Sequence, residues 1–313
     1  MEPAYLLFDI GGTDIKAALA AVDGTLHTVL RSPTPQAGDP GAGAVLAELD
    51  VLRGRLQAEH PSLTPVAAGV VVCGTVDEHA GTGVFSSNLG WRNVPFRRLC
   101  TERFGIPTGF GHDVGTAGEA ELALGAGRLL GEQARNTAVL VIGTGIAGAL
   151  FVDGRRLEAG GFAGEIGHAA VPGGGDCPCG AHGCLETVGS AAAIARNYAR
   201  ATGTQVNGAR EVLERLHAGD AEAQRCWNEA IEALSFSIAQ LCASVGPEAV
   251  IIGGGLAQAG EDLLAPLRAA VEARLSFHRK PRILAAELGQ DAGLRGAYLR
   301  AEAARTAGTE ETP

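Results

Sequence analysis

The chain has 313 residues, 46% of them hydrophobic and only 4% aromatic, and a formal net charge of −10. That length suits about two globular domains that bury their cores without disulfide staples. The acidic balance argues against nucleic acid or an anionic membrane as the main partner, because both demand a basic face, and no stretch approaches the roughly 18 uninterrupted apolar residues of a membrane span.

The first residues, MEPAYLLFDIGG, have no basic start and their apolar run stops at Asp9, so no secretory leader is expected. Seven cysteines are present, Cys177, Cys179 and Cys184 clustered and Cys73, Cys100, Cys226 and Cys242 scattered. That usage suits a reducing cytoplasm with buried thiols. The basic run from Arg274 to Arg282 reads more readily as a solvated helix end than as a binding patch.

In chain order, AYLLFDI reads as a buried strand, GGTD as a tight turn, and IKAALAAVDGTLHTVL as two strands joined at Asp23-Gly24, a favoured hairpin pair. Val45, Leu49, Leu52 and Leu56 lie at helical spacing within 41–59, and PVAAGVVVCG returns as a strand, giving an α/β layer. A second cycle starts with the strand and turn IPTGFGHD and a helix through VGTAGEAELALGAG. It reaches the strand pair TAVLVIGTGIAGALFVDGRRL, whose turn Gly143-Thr144-Gly145 resembles the one after Asp9. Two such openings about 130 residues apart predict a duplicated domain. Residues 187–245 are helical in pattern, with AEAQRCWNEAIEALSFSIAQLCASV the longest stretch. EAVIIGGG then reads as strand and turn, LLAPLRAAVEARLS as helix, RILAAEL as strand and GLRGAYLRAEAART as a closing helix, with a polar tail from Ala307.

Three glycine-rich turns follow apolar strands: Asp9-Ile10-Gly11-Gly12-Thr13, Ile142-Gly143-Thr144-Gly145 and Ile252-Gly253-Gly254-Gly255. Backbone N–H groups at such turns can converge on an anion, and glycine permits its close approach. A plain hairpin or strand-to-helix turn accounts for any one of them alone. Jointly, with Asp9 placed to hold Mg2+ through water and Thr13 and Thr144 able to donate to phosphate oxygens, they resemble the sugar kinase/hsp70/actin superfamily. There two such hairpins grip the phosphates of ATP, and the third turn borders the adenosine.

The spacing His168-x8-Cys177-x-Cys179-x4-Cys184 supplies one imidazole and three thiols, the donor set of a structural tetrahedral zinc site. Such a site has no open position for catalysis and would pin its loop, for which the ~10–16 kcal/mol of model zinc peptides is ample. A redox-active C-x-C pair is the alternative, and His182 is a rival ligand.

The runs Gly164-Glu165-Ile166-Gly167-His168, Cys177-Pro178-Cys179-Gly180 and Gly183-Cys184-Leu185-Glu186 are together similar to the signature of the ROK family of sugar kinases, open reading frames and repressors. The resemblance extends from Asp9 through Asp113 and Gly143-Thr144-Gly145 to the last glycine turn. It implies a two-lobed, actin-like ATPase fold of the duplicated ribonuclease H-like type. Its parts would be an N-terminal α/β lobe over 1–112, a larger C-terminal α/β lobe over 113–290 with a zinc loop at 168–186, a helix over 291–306 packing back on the N-terminal lobe, and a frayed tail over 307–313.

The resemblance also assigns roles. Glu165, His168 and Glu186 would bond sugar hydroxyls, with zinc holding His168 and Glu186 on either side of one loop. Asn88 in SSNLGW would add a contact, with Trp91 beneath that loop or simply in the core. Asp113 would be the general base, although its position alone would favour a helix N-cap. Lys16 could help electrostatically, but on a strand it reads more readily as a solvated side chain. His112, counted among the sugar contacts, stands where the family usually has Asn; Val72-Cys73-Gly74-Thr75 replaces a Gly-Pro turn, and Ala147 a glycine.

The implied reaction is ATP-dependent phosphorylation of glucose at its 6-hydroxyl, in a cytoplasmic homodimer whose partners are a small-molecule sugar and a nucleotide. N-acetylmannosamine, N-acetylglucosamine, fructose and polyphosphate-using kinases are the rivals within the family. Beyond them stand a non-catalytic sugar sensor and a repressor, the latter disfavoured because the first strand starts by about Tyr5 and leaves no room for a helix-turn-helix.

Overall fold

The computed structural model describes residues 1–36, 42–86, 89–131 and 135–310. Strands β1 (Glu2–Ile10), β2 (Asp14–Ala21) and β3 (Leu26–Pro33) open the chain. They are followed by α1 (Gly43–Glu59) and β4 (Leu63–Val72). Next come three short strands, β5 (Thr75–Asp77), β6 (Thr82–Phe85) and β7 (Arg92–Val94), and the helix α2 (Phe96–Phe104). The sequence reading passed over these four: strands so short show no alternation to detect, and α2 buries only Phe96 and Cys100. β8 (Thr108–His112) then runs directly into α3 (Asp113–Leu124).

The second half begins with β9 (Thr137–Ile142), β10 (Ile146–Val152) and β11 (Arg155–Arg156). Past the glycine- and cysteine-rich segment lie α4 (Glu186–Gly189), α5 (Ala191–Thr202), α6 (Ala209–His217) and α7 (Ala221–Ser244). β12 (Ala249–Gly253), α8 (Glu261–Arg274), β13 (Arg282–Ala285) and α9 (Ala292–Glu310) complete the described chain.

The contacts divide the chain into two units. The first comprises Met1–Ala120, Glu158–Phe162 and Gln290–Pro313, and the second Glu121–Leu157 and Ala163–Gly289. The division falls inside α3, past the boundary drawn from the sequence at His112. The first turn of α3 is tied to β8 by Thr116 Oγ1, which donates to His112 O at 2.7 Å. One turn later the buried Glu121 carboxylate accepts from the backbone N–H groups of Ala126, Glu287 and Leu288.

In the first unit the sheet order is β3-β2-β1-β4-β8, with β1–β2–β3 antiparallel and β4 and β8 parallel to β1. Leu6, Phe8 and Ile10 on one face of β1 join Val45, Leu49, Leu52 and Leu56 of α1 and the fully buried Trp91 in one core. On the other face, as strand alternation requires, Tyr5 meets Tyr298 of α9 edge-on, ring centroids 5.5 Å apart. α9 lies so close to the sheet that a Cβ at Gly69 or Gly109 would sit 1.8 Å from Ala297 O or 2.0 Å from Arg300 O.

The second unit repeats this plan in the order β11-β10-β9-β12-β13, again an antiparallel hairpin followed by two parallel strands. Leu140, Ile142, Val250 and Ile252 pack against Trp227, Leu234 and Ile238 of α7. Asp220 caps α7 by accepting from Glu222 N–H and Ala223 N–H. Among the described residues no helix is long and apolar enough to cross a membrane. The basic run is engaged in ion pairs, Arg274 with Glu232, Arg279 with Glu248 and Lys280 with Glu272, as a solvated helix end would be.

Candidate functional site

Parallel strands bring their carboxyl ends together, and in α/β sheets that edge is where ligands bind. In the first unit Ile10 is level with Val72 and Val72 with His112. The turn after Asp9, the Cys73 turn and Asp113 therefore emerge side by side. The carbonyl oxygens of the Gly11-Gly12-Thr13 turn, which would repel an anion, are each committed to a donor. Thr34 Oγ1 donates to Gly11 O at 2.8 Å, Gln36 Nε2 to Gly12 O at 2.9 Å, and Thr34 N–H to Thr13 O at 2.8 Å.

Asp9 is buried, 8% exposed, and pairs with Lys16 Nζ at 3.0 Å. Lys16 also donates to Gln290 O at 3.0 Å. Lys16 is thus not the solvated strand residue its position suggested: burial of Asp9 recruits a cation, because an unpaired carboxylate there would be costly.

Asp113 is the first residue of α3, and its Oδ1 accepts from Val114 N–H at 2.7 Å. His112 Nε2 lies 3.2 Å from the same oxygen. His112 Nδ1 accepts from Gly115 N–H at 3.1 Å, which puts the proton of the neutral ring on Nε2, facing the carboxylate. Behind the strand, His112 N–H donates to Glu78 Oε1 at 2.8 Å, and Arg300 pairs with both Glu78 and Glu119, at 3.0 and 2.7 Å. The sequence reading missed this triad; only three carboxylate- or guanidinium-bearing residues scattered over one turn and two helices announce it. Burial and then the Asp113 charge push the Cys73 thiol up to about 12. Trp91 is core, edge-on to Phe96 at 5.1 Å, and Asn88 lies outside the described residues.

In the second unit Val141 pairs with Gly253, so the turns Gly143-Thr144-Gly145 and Gly253-Gly254-Gly255 leave one sheet edge together. Gly143 N–H closes the first by donating to Gly145 O at 2.8 Å. The GEIGH segment lies on β10, Gly148 N–H donating to Gly164 O at 2.8 Å. Glu165 precedes a short 3-10 turn, Ile166–His168, which sets its Oε2 4.0 Å from His168 Nε2. Glu186 opens α4, and its Oε2 accepts from Ile146 N–H at 2.9 Å.

His168, Cys177, Cys179 and Cys184 each place a ligand atom within 4.8 Å of the others. Around a tetrahedral zinc, thiolates at about 2.3 Å and an imidazole nitrogen at about 2.1 Å would stand about 3.8 Å sulfur to sulfur and about 3.6 Å sulfur to nitrogen. Cys179 Sγ and Cys184 Sγ are 3.7 Å apart, and Cys177 Sγ and His168 Nδ1 3.8 Å. The donor set and its spacing fit zinc, and His168 would use Nδ1, leaving Nε2 toward Glu165. His182 belongs elsewhere, paired at 2.8 Å with the exposed Asp176.

The thiols differ sharply without a cation. The Ala181 N–H and then the Cys177 contact bring Cys179 down to about 7, whereas burial and then its sulfur neighbours push Cys184 up to about 12.

The family model described as ROK family matches residues 5–304. The chain is 33% identical to a glucokinase of Halalkalibacterium halodurans, covering 93% of each chain. It is 30% identical to an N-acetylmannosamine kinase of Escherichia coli, over 95% of this chain and 98% of that one. Among solved structures, a ROK family glucokinase from Streptomyces griseus, determined with glucose and AMPPNP, matches with a TM-score of 0.80 at 27% identity, over 96% of this chain and 99% of that one.

Proposed function

Because the chain belongs to the ROK family and is a sugar kinase, we propose that it transfers the γ-phosphoryl group of ATP to the 6-hydroxyl of glucose, with Asp113 as general base. The observation that carries this reading is the Asp113 carboxylate at the carboxyl end of β8, level with the glycine turn after Asp9. The glucokinase relative at 33% identity supports glucose as acceptor.

In this reading Asp113 takes the proton of the attacking hydroxyl, oriented by Val114 N–H and His112. Glu165, His168 and Glu186 satisfy sugar hydroxyls, which a buried site must do or lose affinity; the family resemblance makes Asn88 and His112 further sugar contacts. The family resemblance assigns phosphate contacts to the backbone of Gly11, Gly12 and Thr13 in the first unit and, in the second, to Gly143, Thr144 and Gly145, and an adenosine contact to Gly253, Gly254 and Gly255. Mg2+ supplies charge neutralisation on the transferred group when bound, and Asp9 is the carboxylate that would accept from its water. Zinc, held by His168, Cys177, Cys179 and Cys184, would fix the loop that carries the sugar residues. Seven free cysteines support a cytoplasmic setting, and the family reading a homodimer.

The N-acetylmannosamine kinase relative favours one second reading, with an N-acetylated sugar as acceptor. A coupled assay of ADP release with Mg-ATP and a panel of hexoses separates the two. Glucose is expected to be preferred; preference for N-acetylmannosamine would replace it, and silence across the panel would return the sensor reading. Asp113→Asn should lower kcat by at least about a hundredfold with fold and metal content intact, and near-normal turnover would remove Asp113 from its role.

A further inference from the structure

We propose that Glu186 is a positioning residue for the phosphate turn between β9 and β10, and so couples sugar-side loop and nucleotide-side turn; this rests on the kinase reading above. The Glu186 carboxylate lies against the turn itself. Its Oε2 accepts from Ile146 N–H at 2.9 Å, and a Cβ at Gly145 would sit 2.4 Å from that oxygen. A side chain at 145 would have to displace the carboxylate from this position.

The other end of the turn is held from the same short segment. Ala191 N–H donates to Gly143 O at 2.9 Å, so residues 186–191 grip the turn on both sides. That segment also opens α5, where Ser190 Oγ caps the helix by accepting from Ala193 N–H at 3.0 Å. It is also joined to the cysteine loop, since Leu185 N–H donates to Ala169 O at 2.9 Å and Thr187 Oγ1 accepts from Gly175 N–H at 2.9 Å.

A backbone N–H bound to an ionised carboxylate makes a bond roughly twice as strong as one to a neutral acceptor. Loss of the Glu186 side chain should therefore loosen the nucleotide turn in addition to whatever it costs the sugar. Any ligand that orders Glu186 from the sugar side orders a turn that phosphate then finds already set, and linkage makes the effect reciprocal.

Glu186→Ala and Glu186→Gln test this in the zinc-loaded full chain. ADP affinity is measured by calorimetry without sugar, glucose KM by kinetics, and Ile146 amide exchange by mass spectrometry or NMR. Glu186→Ala is expected to weaken ADP about tenfold and to speed Ile146 exchange. Glu186→Gln keeps a neutral oxygen that accepts from Ile146 N–H, so ADP affinity and Ile146 exchange are expected to fall between those of the parent and Glu186→Ala while glucose KM stays raised. Unchanged ADP affinity and exchange in Glu186→Ala, with only glucose KM raised, would overturn the proposal. Failure of the unmodified protein to bind ADP would instead overturn the kinase reading and the nucleotide role of Glu186 with it, and unequal zinc content would show a variant to be misfolded, leaving Glu186→Gln to decide.

Discussion

At Asp113 a single carboxylate oxygen faces two donors, Val114 N–H at 2.7 Å and His112 Nε2 at 3.2 Å. Donors to a carboxylate reduce its basicity, yet they also fix its direction, and for a base that must meet one hydroxyl the direction dominates. His112→Ala removes the ring that Gly115 N–H orients and is expected to lower kcat about tenfold with a smaller change in glucose KM. Nitrogen-15 NMR of the histidine ring should show the proton on Nε2; a proton on Nδ1, or an unaltered kcat, would refute the arrangement. The family resemblance made Asp113 visible as a base; its place at the junction of a strand and a helix, taken alone, reads as an N-cap. The sequence could not show His112 turned toward Asp113, since that depends on the backbone of Gly115, nor Lys16 held between Asp9 and the carbonyl of Gln290, since that partner comes from the far end of the chain. The four candidate metal ligands were legible for the opposite reason: their spacing along one loop already brings them together.

At the scale of elements, the long strands and helices were legible in periodicity, whereas β5, β6 and β7 were not. Gly69 and Gly109 looked like ordinary strand glycines, and only the position of α9 explains them. A Cβ at either would collide with α9 backbone, at Ala297 O or Arg300 O, and a backbone oxygen cannot rotate aside as a side chain can. Gly69→Ala and Gly109→Ala should therefore each destabilise the first unit by about 1–3 kcal/mol or more, the usual cost of overpacking. Gly54→Ala is the control: it lies on an exposed face of α1 with nothing within 4 Å of its Cβ, and helix propensity alone should stabilise by about 1 kcal/mol. Thermal melts of the three variants check both signs, and a Gly69→Ala protein as stable as the parent would mean that α9 does not rest on the sheet as described.

For the whole molecule, a bound metal would set an asymmetry between the two units, because all four candidate ligand residues belong to the second. Purified protein is expected to hold about one zinc per chain. Zinc binding must expel protons, most of all from Cys184, which without metal keeps its proton up to about 12, so affinity should fall as pH is lowered. In chelator-stripped protein Cys179 should alkylate with a rate that rises through pH of about 7, where its thiolate forms, while Cys184 stays inert; zinc should protect both. Stripping should also abolish sugar phosphorylation and admit protease between 169 and 183, since a glycine-rich loop loses the bonds that ordered it, while β1, β4 and β8 keep their protection from amide exchange. Metal-free protein with full activity would show that the loop is ordered by its own hydrogen bonds, and equal loss of protection in both units would show that they unfold as one.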